Sequence, residues 1–311
     1  MLQWGGMLVA ALFVLVRGAD LFVDGAKKVG AHLGMSSFAI GVLIVGLGTS
    51  LPELASSIAA VMAGTTEIVV ANVVGSNITN ILLIVGLMAV IGGPILISKN
   101  LIKTELPIFF ISTVHFIASI YDGVVDRIEA LLLFGTFAAY IWYLFSSENN
   151  AKDKTVGKKK SGGLGTKPFV FIILGIIAVL AGAHYTVEMA VNIATGFAIP
   201  IGLVSIAAIA IGTSLPELFV SLQAVRSGET ELAIGNIFGS NAFNILLVIG
   251  IPGLITPLIV GEVVTVIGIG ILLAASLILF VTGLARQIQK WEGIMMILFF
   301  IFFLVKLVAF V

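Results

Sequence analysis

Glu53 and Glu217 stand in otherwise apolar sequence at the end of one repeated phrase. Gly48-Thr49-Ser50-Leu51-Pro52-Glu53 recurs as Gly212-Thr213-Ser214-Leu215-Pro216-Glu217. A second phrase, Gly75-Ser76-Asn77 followed by Asn80, recurs as Gly239-Ser240-Asn241 followed by Asn244. Each second copy follows its first by 164 residues (48 to 212, 75 to 239), which marks an internal repeat. The side chains in these phrases that can bind do so through oxygen. Carboxylates, hydroxyls and amides suit calcium, sodium or magnesium and argue against soft metals. Two carboxylates among neutral oxygens balance the charge of one divalent cation.

The spacing brings these groups together on helices. Glu53 follows Ser50 by three residues and Thr49 by four, so all three share a helical face. Ser76 and Asn80 share a face by the same rule, as do Ser240 and Asn244. Pro52 and Pro216 each remove a backbone donor and crowd the carbonyl four residues earlier, which leaves the carbonyls of Gly48 and Gly212 without their helical partners. Broken helices persist at membrane depth only inside protein or along a cavity, and freed carbonyls are good ligands for hard cations.

Those phrases need membrane helices to hold them. Of 311 residues, 59% are hydrophobic and 10% charged, with a mean hydropathy of +1.21. Soluble domains carry about 25% charged residues, so the chain is expected to be an all-α integral membrane protein. With roughly 20 apolar residues per span, ten spans are predicted: 3–26, 37–63, 68–91, 104–121, 126–146, 168–192, 199–225, 231–255, 260–283 and 291–310. Met1 to Val16 reads as the start of a retained first span, without the basic region or cleavage site of a signal peptide. The organisation is then 1–146 as a first repeat, 147–167 as a flexible polar linker with six lysines and four glycines, and 168–311 as a second repeat.

Thirteen of the 16 basic residues fall in loops on one side if the N-terminus lies outside; among them are Lys27, Lys28, Lys99, Lys103, Arg226, Arg286, Lys290 and the linker lysines. The positive-inside rule then puts both termini outside the cell membrane and the linker in the cytoplasm. Five spans per half is an odd number, so the two repeats are inverted, and the glutamate phrases fall in proline-broken spans 2 and 7. Helix-breakers preserved in an inverted repeat point to a transporter whose site lies at the repeat interface. Zero net charge without a basic stripe speaks against nucleic acid. The absence of cysteine excludes disulfides and thiolate metal sites, and His32, His115 and His184 are scattered.

Plainer roles compete for some residues. Small residues in membrane helices most often serve close packing, the reading given to Ser56-Ser57 and Gly86. A lone intramembrane glutamate can be a protonated hydrogen-bond partner, but packing does not ask for an acid beside a proline in both halves. Asn72 and Asn236 match at the same offset, and bridging between helices competes there with ion binding. Asp20 and His184, equivalent but chemically unlike, read as surface or capping groups, and Lys306 as snorkelling to the interface.

The two phrases resemble the α-repeats of the cation/calcium exchanger superfamily, particularly its sodium/calcium exchangers, over Ile40 to about Gly86 and Pro200 to about Gly250. The resemblance implies ten helices, a midplane site built from spans 2, 3, 7 and 8, and spans 1 and 6 sliding across that core. It makes Glu53 and Glu217 the central acidic ligands, with Thr49, Ser50, Thr213 and Ser214 beside them. Ser76 and Ser240 would complete sodium sites, Asn80 and Asn244 would give amide oxygens, and the carbonyls of Gly46 and Ala210 would add further ligands. The potassium-dependent branch and some other relatives carry Asp where Asn244 stands, which argues against potassium cotransport.

The expected activity is antiport of sodium against calcium by alternating access to one shared site. No enzyme activity or cofactor is expected beyond the transported ions, and a site within one chain is compatible with a functional monomer. A proton/calcium exchanger using the same glutamates is the nearest alternative, and a cation channel a more distant one. Clustered hydroxyls and carbonyls favour sodium over protons. An inverted repeat within one chain favours a carrier over a channel, whose filters come from rings of subunits.

Overall fold

The computed structural model describes residues 2–97, 99–152, 165–197 and 211–310. Their helical segments are α1 (Leu2–His32), α2 (Ser37–Met62), α3 (Glu67–Gly92), α4 (Lys99–Ser119), α5 (Arg127–Lys152), α6 (Lys167–Gly196), α7 (Leu215–Arg226), α8 (Thr230–Ile255), α9 (Val264–Leu284) and α10 (Lys290–Phe310). Eight described helices are long and apolar enough to cross a membrane. The apolar part of α4, Glu105–Ser119, is shorter. The expected seventh span is described only from Ile211 onward. The fifth helix runs to Lys152, so the start of the expected linker continues it, and residues 153–164 lie outside the described part.

Burial sorts the helices into layers. In α3 and α8, 72% and 94% of the apolar stretch is buried, against 33%, 22%, 28% and 22% in α1, α5, α6 and α10. The two Ser-Asn phrases therefore sit on the most enclosed of these helices. First-half α2 lies backbone to backbone on α8. A Cβ at Gly41 would strike the carbonyl of Leu232, and one at Gly235 the carbonyl of Phe38. Glycine is required at this crossing because nothing larger lets the two helices approach so closely. Short π-helical stretches at Gly41–Gly46, Thr79–Ile84 and Asn244–Val248 interrupt α2, α3 and α8 beside the phrases. Such wide turns are frequent at functional sites.

The all-helical expectation misses two small strand pairs, and these display the inversion. β1 (Ile95–Leu96) pairs with β4 (Gln287–Ile288) through Ile95 and Ile288, and β2 (Val124–Val125) pairs with β3 (Leu258–Ile259) through Val124 and Ile259. Adding 164 to Ile95 gives Ile259, and subtracting it from Ile288 gives Val124. One pair is therefore the repeat image of the other. Yet β1 and β2 flank the 21 residues of α4 at opposite ends. Equivalent parts of the two repeats accordingly lie at opposite ends of the bundle. The packing of α1 on α6 agrees. Gly18 faces Ala178 and Val179, whereas Gly25 faces Pro168 and Ile172, as antiparallel helices require.

Candidate functional site

Each glutamate phrase folds as a bent helix. Ser50 leaves the helical range at φ −87°, ψ 1°, and Ser214 does the same at φ −89°, ψ 3°. Both lie in the sparsely allowed bridge region. Helix resumes at Leu51 and at Leu215 with Pro52 and Pro216 in the opening turn, where an amide proton has no helical acceptor and proline is tolerated. Glu53 and Glu217 occupy those same first turns, where the partial positive charge of a helix N-terminus favours a carboxylate.

Around these turns the two repeats interlock. Thr49 Oγ1, on α2, lies 3.2 Å from Ser240 Oγ and donates to Asn236 Oδ1 at 3.2 Å, both on α8. Its mate Thr213 lies 3.0 Å from Ser76 and donates to Asn72 Oδ1 at 3.2 Å, both on α3. The Gly46 carbonyl is within 3.3 Å of Thr49 Oγ1 and 3.4 Å of Ser240 Oγ. The Glu217 carboxyl lies near the hydroxyls of Thr49, Ser50 and Ser240, and Glu53 lies close enough to Glu217 for the two carboxyls to interact.

Among the described residues, the buried polar atoms without a partner repeat the same symmetry. Both oxygens of Glu53 and of Glu217, the whole amides of Asn80 and Asn244, the hydroxyls of Ser50 and Ser214, and Oδ1 of Asn77 and Asn241 have none. Glu53, Glu217, Asn80 and Asn244 are 0% exposed. An uncompensated buried charge costs several kcal/mol, and a buried polar group roughly 1–3 kcal/mol. Oxygens oriented this way fit a hard cation, which would supply the missing partner.

Of the residues singled out in sequence, Gly46, Thr49, Ser50, Glu53, Ser76, Asn80, Ser214, Glu217, Ser240 and Asn244 are buried, and Thr213 is partly so. Ala210 lies outside the described residues. Asn72 and Asn236 act as bridges between helices. Asn77 and Asn241 donate Nδ2 to the carbonyls of Val73 and Ile237, a role their spacing did not suggest. Ser221 also departs from a packing role, because its hydroxyl accepts from Asn236 Nδ2 at 2.9 Å. Its match to Ser57 at the 164 offset was the available signal. His184 is exposed at the surface, as expected, with its side chain 74% accessible, at the mouth of a cavity.

That cavity, about 670 Å³, runs from the end of the bundle carrying the Gly64 turn down to Thr213 and Asn72, past Ala55, Ser57, Ala183 and Pro216. At the Gly228 end a pocket of only about 40 Å³ is lined by Val16, Ala19, Phe219, Leu222, Gln223 and Arg226. Val16, Ala19 and Phe219 are the 164-residue equivalents of Leu180, Ala183 and Ala55 in the large cavity. The two spaces are images of one another, one open and one collapsed. On the collapsed side Lys27 Nζ meets Glu229 Oε1 at 2.7 Å, and Ser37 donates to the same carboxylate at 3.3 Å.

Comparisons with known proteins agree with this architecture. The family model described as sodium/calcium exchanger protein matches residues 4–146 and 167–309. Sodium/calcium exchanger MaX1 of Methanosarcina acetivorans is 33% identical, covering 97% of each chain. The putative antiporter CaxA of Alkalimonas amylolytica is 35% identical over 95% of this chain and 97% of its own. Structures of the sodium-calcium exchanger NCX_Mj superpose with TM-scores of 0.83 and 0.84 at 29% and 30% identity. The first covers 97% of both chains, the second 99% of this chain and all of the other.

Proposed function

The chain belongs to the sodium/calcium exchanger family, and from that premise we propose that it is a secondary antiporter exchanging sodium for calcium through one shared, alternately exposed site. Glu53 and Glu217 supply two negative charges, enough to neutralise one calcium ion. Thr49, Ser50, Thr213, Ser214, Ser76, Ser240, Asn80 and Asn244 supply neutral oxygens, with backbone carbonyls of Gly46 and Ala210. Sodium ions in the same cage compete for the same charges, so the two cations bind in turn.

The observation carrying this reading is the repeat-paired set of partnerless buried oxygens around Glu53 and Glu217, beside a cavity open at one end and collapsed at its image. The distribution of lysine and arginine supports the open Gly64 end as the outer face, with both termini outside and residues 147–167 in the cytoplasm. Ten spans, broken at Pro52 and Pro216, complete the reading. Sodium binding without calcium leaves the same oxygens satisfied, which is what an exchanger needs to return.

The test is flux in vesicles of purified protein. Calcium uptake is expected when sodium is loaded inside and diluted outside, with no potassium requirement. Uptake driven equally well by a pH gradient in sodium-free buffer would reassign the protein to proton/calcium exchange. A steady conductance uncoupled from any counter-ion would make it a channel.

A further inference from the structure

The two repeats carry the same three polar residues in different states of engagement. In one set, Thr49 donates to Asn236 Oδ1 at 3.2 Å, while Asn236 Nδ2 reaches Ser221 Oγ at 2.9 Å and the Glu217 carbonyl at 3.4 Å. A carbonyl accepts only from the amide nitrogen, so these contacts settle which way the Asn236 amide faces. Its oxygen is held toward Thr49, and Thr49 can direct its lone pairs elsewhere. Asn236 and Ser221 are 0% exposed, and neither lines the open cavity.

The equivalent set is Thr213, Asn72 and Ser57. Thr213 donates to Asn72 Oδ1 at 3.2 Å, but Ser57 Oγ has no hydrogen bond although Ser57 is only 2% exposed. All three residues line the open cavity. The clamp is closed in the set turned away from the cavity and unmade in the set that borders it.

Resting on the exchange reading above, we propose that Asn236–Ser221 and Asn72–Ser57 are alternating clamps, and that Asn236 and Asn72 are positioning residues for the two threonine hydroxyls. Inverted repeats exchange roles when the open end changes. Closure of the Gly64 end then brings Asn72 Nδ2 onto Ser57 Oγ, while opening of the Gly228 end releases Asn236 from Ser221. Each state has one threonine whose asparagine is clamped by serine and one whose asparagine lacks that clamp and can yield to let an ion in or out.

The absence of native cysteine makes this measurable by single-cysteine labelling with a membrane-impermeant maleimide in choline buffer. Gln223→Cys reports the collapsed pocket, and Ala55→Cys reports the open cavity and correct assembly. A hydrogen bond of this kind shifts a two-state ratio by about threefold to tenfold. Ser221→Ala is expected to raise the Q223C labelling rate by that factor, Ser57→Ala to lower it, and the double variant to return it towards the parent. Shifts of the same sign, or no shift, overturn the proposal. Damage to packing alone has no reason to give opposite signs. Should Ser221→Ala fail to insert, Ser57→Ala decides alone, and an unchanged or faster rate overturns it. The exchange reading is tested separately in the same samples. Parent labelling unmoved by either sodium or calcium would sink that reading while leaving the opposite-sign test intact.

Discussion

Thr49 Oγ1 lies 3.2 Å from Ser240 Oγ, although 191 residues separate them in sequence. The mirrored pair, Ser76 and Thr213, is 3.0 Å apart across 137 residues. Neither repeat therefore makes these hydroxyl pairs alone. Each bent helix meets its hydroxyl partner on the other repeat.

Glu53→Gln and Glu217→Gln are each expected to reduce calcium uptake at least tenfold while the protein still inserts. Each substitution also replaces a buried carboxyl that has no hydrogen-bond partner among the described residues. The variants should melt close to the parent temperature in ion-free detergent, since the carboxamide exchanges one unpartnered buried polar group for another. Uptake close to the parent rate in a well-expressed variant would refute the ligand assignment.

Calcium should raise the thermal midpoint of the parent, because a ligand that binds only the folded state stabilises it, by about 2.7 kcal/mol at a hundredfold excess over Kd. Sodium at high concentration should do likewise and should diminish the calcium increment by competition. Additive increments from the two ions would contradict a shared site. Scanning fluorimetry across a two-ion grid distinguishes the cases.

Gly41→Ala should destabilise the protein by about 1–3 kcal/mol, the usual cost of overpacking, since its methyl meets the Leu232 carbonyl on α8. Gly75→Ala is the control, having open space around a Cβ at that position. Equal melting temperatures for the two variants would mean that the α2–α8 crossing tolerates more separation than its geometry implies.

Lys27→Ala and Glu229→Gln should favour opening of the Gly228 end. Their repeat equivalents are Val191 and Thr65, so this ion pair has no chemical counterpart at the other end. Lys27 and Glu229 side chains are 36% and 26% exposed, and a pair that wet contributes about 0.2–1 kcal/mol. A shift of up to about fivefold in Q223C labelling follows, fading at high salt. No change at low ionic strength would show the pair to be incidental.

Much of this was readable in the residues because polar groups in membrane sequence are costly and stand out. Glu53, Glu217 and the Ser-Asn phrases could be picked out by type and offset, and inversion followed from an odd number of spans per half. Ser221 was harder. A serine inside a helix has the size of a packing residue, and only its 2.9 Å contact with Asn236 reveals another role. The strand pairs were invisible for a different reason: two residues carry no period, and their partners lie far away in sequence.

The crossing of the repeats also bears on how the chain is made. The partners of Thr49 on α8 and of Ser76 just before α7 lie 191 and 137 residues further along. At about 5–20 residues per second of synthesis, the first half waits roughly seven to forty seconds in the bilayer with its acid and amides unsheltered. During that interval it is a substrate for quality control, and the arrival of α7 and α8 is what ends the exposure. Halves produced as separate polypeptides should each be degraded when expressed alone and persist only when made together.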